Sequence, residues 1–389
     1  MGPSAVVRNL ALCALLPALA AVPGVLPAGQ PPPVLESEVA DVATLPPLKS
    51  HDLLVSRNQG GILVIDGDTL KTMGSIYTAQ NTNFALSPDN KFIYVAESYW
   101  SHGNRGQRQD LLSVYAADSL KLLTEIPLPG RLLSDPMGTR NFDLSADGKY
   151  AYVYNFQPAS SVIIVDLGTR KVTGTVETPG CGQVFPWGER GFASLCSDGS
   201  MAVASANAKG KYSVTRVPKF FDVENDPIFD ESLVDRRTGK AIFISYTGLI
   251  YIAQLGEQPV IGKPWSLQQA AGLSPATTKV GHITWRPAGN VLAAYHRASG
   301  RLYVLMHEGP HWNYAQGATE IWVVDLSTQK VLHRFEIPES AARLAVTQDA
   351  APLLFAMSAE YVWALNADSG EVMGTTRVHN SSLVGVKDF

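Results

Sequence analysis

The chain has 389 residues, 46% of them hydrophobic, and a formal net charge of −4 from 31 Lys and Arg against 35 Asp and Glu. That length and apolar content suffice for a large core, and the slight acidic surplus argues against a nucleic-acid binder, which usually carries a basic excess.

In chain order, Arg8 is followed by the uncharged apolar run "NLALCALLPALAAVPGVLPAG", with small residues at Ala18 and Ala20. This pattern predicts an exported chain with a leader over residues 1–20, and hence a periplasmic location. Pro17 and Pro23 interrupt the run, which leaves it short of a clean membrane span. Leu12 is too bulky before Cys13 for a lipoprotein site. Residues 21–48 are Pro-rich and read as an extended arm.

From residue 49 onward the chain repeats itself. "GILVIDGDTLKTMGSI" from Gly61, "LLSVYAADSLKLLTEI" from Leu111, "SVIIVDLGTRKVTGTV" from Ser161 and "TEIWVVDLSTQKVLHRFEIP" from Thr319 each read as a branched and aromatic strand, a polar turn and an alternating second strand. Weaker copies start at Ser200, Leu249 and Tyr361, which brings the count to seven. Between copies lie second strand pairs, such as "FALSPDNKFIYVAES" at 84–98 and "FDLSADGKYAYVYNF" at 142–156, each folded about an Asp-containing turn. Four strands per unit, recurring every 40 to 50 residues or so, predict an all-β, seven-bladed β-propeller over 49–389. A β-sandwich pair or a linear solenoid is the competing architecture. Closing the ring calls for a strand near His51–Arg57 that completes the blade containing Tyr361–Val378.

Cys13 departs with the leader, and Cys181 and Cys196 stand at the ends of "CGQVFPWGERGFASLC" with a turn near its middle. As a hairpin, this stretch places them face to face, and an oxidising compartment would join them; otherwise they are two buried thiols.

Catalytic signatures are missing. His307 and His311 in "HEGPHWN" are separated by Gly309 and Pro310, so they cannot share a helical face as metal ligands, and a loop is the expectation there. There is no haem-attachment motif, nucleophile elbow or phosphate loop. Two insertions interrupt the repeats. "SYWSHGNRGQRQD" carries Tyr99, Trp100, Arg105 and Arg108, and "HEGPHWNYAQGAT" carries His307, Trp312 and Tyr314. Exposed aromatics with arginine are enriched at protein interfaces, whereas the same aromatics could instead cover grooves between blades.

"RGQRQDLLSVYAADSLKLLTEIPLP", the Cys181–Cys196 stretch, "DPIF" at 226–229, "KPWSL" at 263–267, "HRASGRLYVLMH" at 296–307 and "TEIWVVDLSTQK" at 319–330 together resemble the heavy subunit of the tryptophan tryptophylquinone amine dehydrogenases. The likeness runs from about Asp52 to near Asp388, and the Pro-Trp and His-Arg-Ala segments are closer to the aromatic amine branch than to the methylamine branch. The resemblance implies a periplasmic heterotetramer of two heavy and two light subunits. It implies that the tryptophan tryptophylquinone and the catalytic Asp sit on the light subunit, with none on this chain. It also implies oxidation of a primary amine to aldehyde and ammonia, with a small copper protein or a cytochrome as electron acceptor. Tyr99, Trp100, Arg105, Arg108, His307 and Trp312 are then the expected light-subunit interface. The family's aromatic residue at the mouth of the substrate channel aligns with Gln80 or Asn81, neither of which is aromatic. A solitary secreted propeller that only binds, or a self-sufficient propeller enzyme such as a lactonase, are the competing functions.

Overall fold

The computed structural model describes residues 44–80, 82–132 and 139–386. The leader, the arm before residue 44 and Asn81 lie outside them. Seven antiparallel sheets follow one another along the chain, and they are the seven expected blades. Each repeat copy forms the third and fourth strands of its blade, as in Ile62–Ile65 with Thr72–Ile76 or Ser161–Asp166 with Lys171–Glu177. The intervening pairs form the first and second, as in Asn83–Leu86 with Phe92–His102.

The third strands are apolar along their whole length for a physical reason. In Ser161–Asp166, Ile163 and Val165 pack toward the preceding blade, against Leu112 and Val114. Val162 and Ile164 point the other way and pack with Val184 and Phe192 of the following blade. Both pleat faces are buried, so alternation disappears. The fourth strands face solvent and alternate more, with Lys171–Glu177 mostly exposed. Equivalent clusters join every adjacent pair of blades, and the one uniting Leu53, Val55, Phe355, Val362 and Val386 joins the last blade to the first.

Ring closure corrects the expectation. Leu53–Arg57 is the second strand of the first blade, paired with Ile62–Ile65 on one side. On its other side lies the C-terminal strand Ser381–Val386, with Leu53 opposite Val386 and Val55 opposite Val384. The blade containing Tyr361 needs no N-terminal strand, because Arg343–Val346 and Leu353–Met357 supply its first two. Leu53, Leu54 and Val55 are fully buried and alternate between two core clusters, so both faces of the strand are covered, while its two edges pair with Ile62–Ile65 and Ser381–Val386. The last strand escapes notice in the sequence because "SSLVGV" is short, Ser-rich and carries a glycine.

Candidate functional face

Strand direction alternates through each blade, so the connections between second and third strands leave on the same side of the ring as those between one blade and the next. Every described candidate residue lies on this side. The face differs from its opposite in chemistry. Among the described residues, the large apolar side chains that stand exposed are either on the outer fourth strands or here: Tyr77, Tyr99, Phe156, Leu273, Val280, Ile283 and Trp312. None lies in the turns of the opposite face, which hold side-chain-capped polar residues such as Asp66, Asp147 and Asp325. An apolar population confined to one face marks a surface built for contact.

The first feature on it is a ribbon. The segment expected to be an irregular insertion is the regular end of a long hairpin, Phe92–His102 paired with Arg105–Ala116. The first strand of the blade stops pairing at Ala96 and the fourth at Leu111, so beyond them the hairpin projects as two strands. Gly103, at φ 71, closes its tip. Arg108 is turned inward: its guanidinium grips both oxygens of Asp110 at 2.7 to 2.9 Å, donates to Ser98 Oγ at 3.0 Å and lies 5.6 Å from the Trp100 ring centroid. A side chain held this way stiffens the ribbon rather than offering a free charge. Arg105 is exposed at the tip.

Beside the ribbon's base runs the loop 77–82, which leads into the second blade. Gln80 is exposed there, and Tyr77 is 85% exposed; Asn81 is outside the described residues. The loop rests on the Gly60–Gly61 turn, whose Gly61 N–H donates to Thr78 Oγ1 at 2.8 Å. Gly60 has φ 92, and a Cβ there would meet the Thr78 carbonyl oxygen at 2.5 Å, so only glycine fits. The loop is also tied to the ribbon through Glu97, which is 1% exposed. Its Oε2 accepts from Ala79 N–H and from Tyr99 Oη, each at 2.9 Å, and its Oε1 from Ser113 Oγ at 2.5 Å. Burial pushes the Glu97 carboxyl above the ordinary carboxylate range, while its three donors pull the other way.

The second feature is an aromatic cluster from three separate connections. Tyr246 packs in tilted contact, with ring centroids at 4.4 Å, on both Phe229 and Tyr314, and Trp312 caps it at 5.6 Å from Tyr246 and 4.4 Å from His311. Trp312 is 54% exposed and sits at φ 70. His307, expected in a loop and at the interface, is in the strand Arg301–Gly309 and only 5% exposed, so it supports the face from beneath. It pairs across the sheet with Arg286, and burial together with that guanidinium lowers its pKa. His311 is also buried and bonds the Asn225 carbonyl at 2.8 Å. The two histidines therefore do structural work. Tyr77 and Tyr246 were missed in the sequence. Both are single aromatics in short turns, and only the topology reveals which turns share a face.

Cys181 and Cys196 are directly opposite in their hairpin and joined, with sulfurs 2.11 Å apart. The bridge links the start of a first strand to the end of a second, and so anchors the same face. Along the ring axis, Asp143 joins Arg236 at 2.7 Å and Arg140 at 3.3 Å beside a cavity of about 100 Å³. The Asp143–Arg236 contact ties the third blade to the fifth. No three His, Cys, Asp or Glu side chains converge as metal ligands among the described residues. Trp285 and Trp322 approach to 5.8 Å, but Trp322 is fully buried and both rings pack on the Arg334 guanidinium.

Residues 55–382 match the family model described as methylamine dehydrogenase heavy chain. The chain is 32% identical over 317 residues to the methylamine dehydrogenase heavy chain of Methylobacillus flagellatus, covering 80% of this chain and 77% of that one. It is 26% identical over 317 residues to the heavy chain of Methylophilus methylotrophus, covering 81% and 76%. Among solved structures, a dihydro-heme d1 dehydrogenase, NirN, superposes with a TM-score of 0.57 at 16% identity, covering 89% of this chain and 77% of that one. Kuenenia stuttgartiensis hydrazine synthase does so with 0.54 at 14%, covering 89% and 99%. These two likenesses concern the fold alone. The matches do not separate the aromatic amine branch from the methylamine branch. The segments suggesting the former are structural here: Trp265 pairs with Ile250 in the fifth blade, and His296 is buried between Ser299 Oγ and the Asp349 carbonyl.

Proposed function

The chain belongs to the methylamine dehydrogenase heavy chain family, and on that premise we propose that it is the non-catalytic heavy subunit of a periplasmic amine dehydrogenase. Its partner is a light subunit that carries tryptophan tryptophylquinone, in an assembly of two heavy and two light chains. The enzyme oxidises a primary amine to aldehyde and ammonia and passes electrons to a small copper protein or a cytochrome. The observation that carries this reading is the family match over 55–382, joined to a face whose exposed aromatics have no counterpart opposite among the described residues.

The quinone chemistry belongs to the light subunit; this chain supplies a rigid docking surface and one wall of the substrate channel. Arg105 at the ribbon tip, with Tyr99 and Trp100 behind it, and Trp312 across the ring form the contacts. Tyr77 and Gln80 border the channel mouth. A polar Gln80 admits amines that an aromatic side chain there would hinder, so Gln80→Phe should change the ratio of specificity constants between a short and an aromatic amine.

The test is co-expression of the tagged chain with the proteins encoded beside it. Co-purification in equal amounts supports the heavy-subunit reading. A chain that purifies alone under those conditions is a solitary binding propeller.

A further inference from the structure

Glu97 stands where the two parts of the proposed docking face meet. It is buried at the base of the ribbon, and its acceptors serve three donors from three segments: the Ala79 amide in loop 77–82, the Tyr99 hydroxyl on the ribbon, and the Ser113 hydroxyl on the opposing strand. The Tyr115 hydroxyl, also on that strand, reaches the Tyr77 carbonyl at 3.4 Å. A carboxylate has only acceptors, and every group aimed at Glu97 can donate, so the site is matched in hydrogen bonding. Loop 77–82 otherwise rests on the closely packed Gly60–Gly61 turn.

We propose that Glu97 is a positioning residue that locks loop 77–82 to the ribbon, so that docking of the light subunit on the ribbon also fixes the channel-mouth residues Tyr77 and Gln80. This rests on the heavy-subunit reading. A partner that grips Tyr99 and Trp100 thereby selects one arrangement of the loop, and the apparent affinity for amine carries the cost of any arrangement that is not competent. Glu97 itself is buried beneath this surface and acts through the residues it holds.

The variants are Glu97→Ala, Glu97→Gln and Ser113→Ala, each in the assembled complex, with two readouts: amide hydrogen exchange over residues 77–82, and steady-state kinetics with a primary amine. In Glu97→Ala, exchange over 77–82 should accelerate while the blades keep their protection. The complex should still assemble, and KM should rise on the order of tenfold with kcat little changed, as loss of a charge-assisted hydrogen bond predicts. Glu97→Gln should restore most of this, because its carbonyl can serve Ala79 and Tyr99 while the Ser113 hydroxyl turns to accept from its amide. Should Glu97→Ala fail to fold, Ser113→Ala removes one donor only and should raise KM roughly twofold to threefold.

An assembled Glu97→Ala complex with wild-type exchange and wild-type KM overturns the proposal. So does faster exchange with an unchanged KM, since the loop would then be loosened without consequence for substrate entry. Failure of the underlying reading looks different: the wild-type chain would then form no complex and give no amine-dependent turnover at all.

Discussion

Removing residues 379–389 deletes the strand that closes the ring, and the consequence can be worked from the structure. The first blade loses its innermost strand and the pairings Leu53 to Val386, Leu54 to Gly385 and Val55 to Val384. Val386, 5% exposed, leaves the cluster joining the last blade to the first, and Val384 leaves with it. Two such side chains are worth about 3 to 5 kcal/mol. The buried Arg343 loses the Ser382 carbonyl that accepts from its Nε, at about 1.5 to 3 kcal/mol for a charged group left without its partner. Losses at Ser56 Oγ, Ser358 O and the Asn58 amide add roughly 1 kcal/mol each. The total, about 10 kcal/mol, is comparable with the whole stability of a typical domain. The truncated chain should therefore be aggregated or expanded by gel filtration, and should lack the cooperative guanidinium unfolding transition of the full chain. A monodisperse truncated chain with an unchanged midpoint would refute closure by the C-terminal strand.

Replacing both Cys181 and Cys196 by Ala should lower stability by about 3 kcal/mol in the chain-entropy picture of a short closed loop, read as a lower denaturation midpoint than the oxidised protein. Arg105→Glu should weaken light-subunit binding and leave the fold intact. Arg108→Glu sets a second carboxylate against the buried Asp110, costs roughly 2 to 3 kcal/mol and should render the ribbon protease-sensitive; equal behaviour of the two variants would contradict the inward role of Arg108. Trp312→Ala removes the exposed 54% of a side chain of about 250 Å², worth about 3 kcal/mol if docking covers it, so titration with light subunit should give a Kd raised on the order of a hundredfold. His307 has its pKa lowered in the fold, so the unfolded chain takes up the proton first. Its contribution is complete above about pH 6.5 and is lost as pH falls below that, at up to about 1.4 kcal/mol per pH unit. His307→Gln should flatten the stability profile between pH 7 and pH 5, and an unchanged slope would exclude this source.

The blades were legible because their third strands are buried on both faces, and no other element of this length produces a run such as "SVIIVD" beside an alternating partner. The hairpin of Cys181 and Cys196 was legible from its central turn. Closure was misplaced because pairing partners of Leu53–Arg57 are far apart in sequence, and periodicity reports burial without naming the neighbour. The ribbon was misread for a related reason. Its residues 98–102 and 105–110 are polar apart from the adjacent pair Tyr99 and Trp100, so they show no apolar alternation, and their regularity comes from cross-strand bonds such as those between Arg108, Asp110 and Ser98. His307 was placed at the surface because Gly309 and Pro310 suggest a loop; the strand in fact continues through Gly309. Glu97 gave no sign at all, since a lone acid among strand residues reads as a solvated position until its three donors are seen.

On the proposed reading, this propeller serves a quinone-bearing partner. The most direct test is to co-express the chain with its genomic neighbours, purify it from the periplasm and record the visible spectrum before and after adding a primary amine. The heavy-subunit account predicts a quinone absorption band that co-purifies with the chain and bleaches on addition of amine. A colourless monomer, obtained with the neighbouring proteins expressed, would contradict it.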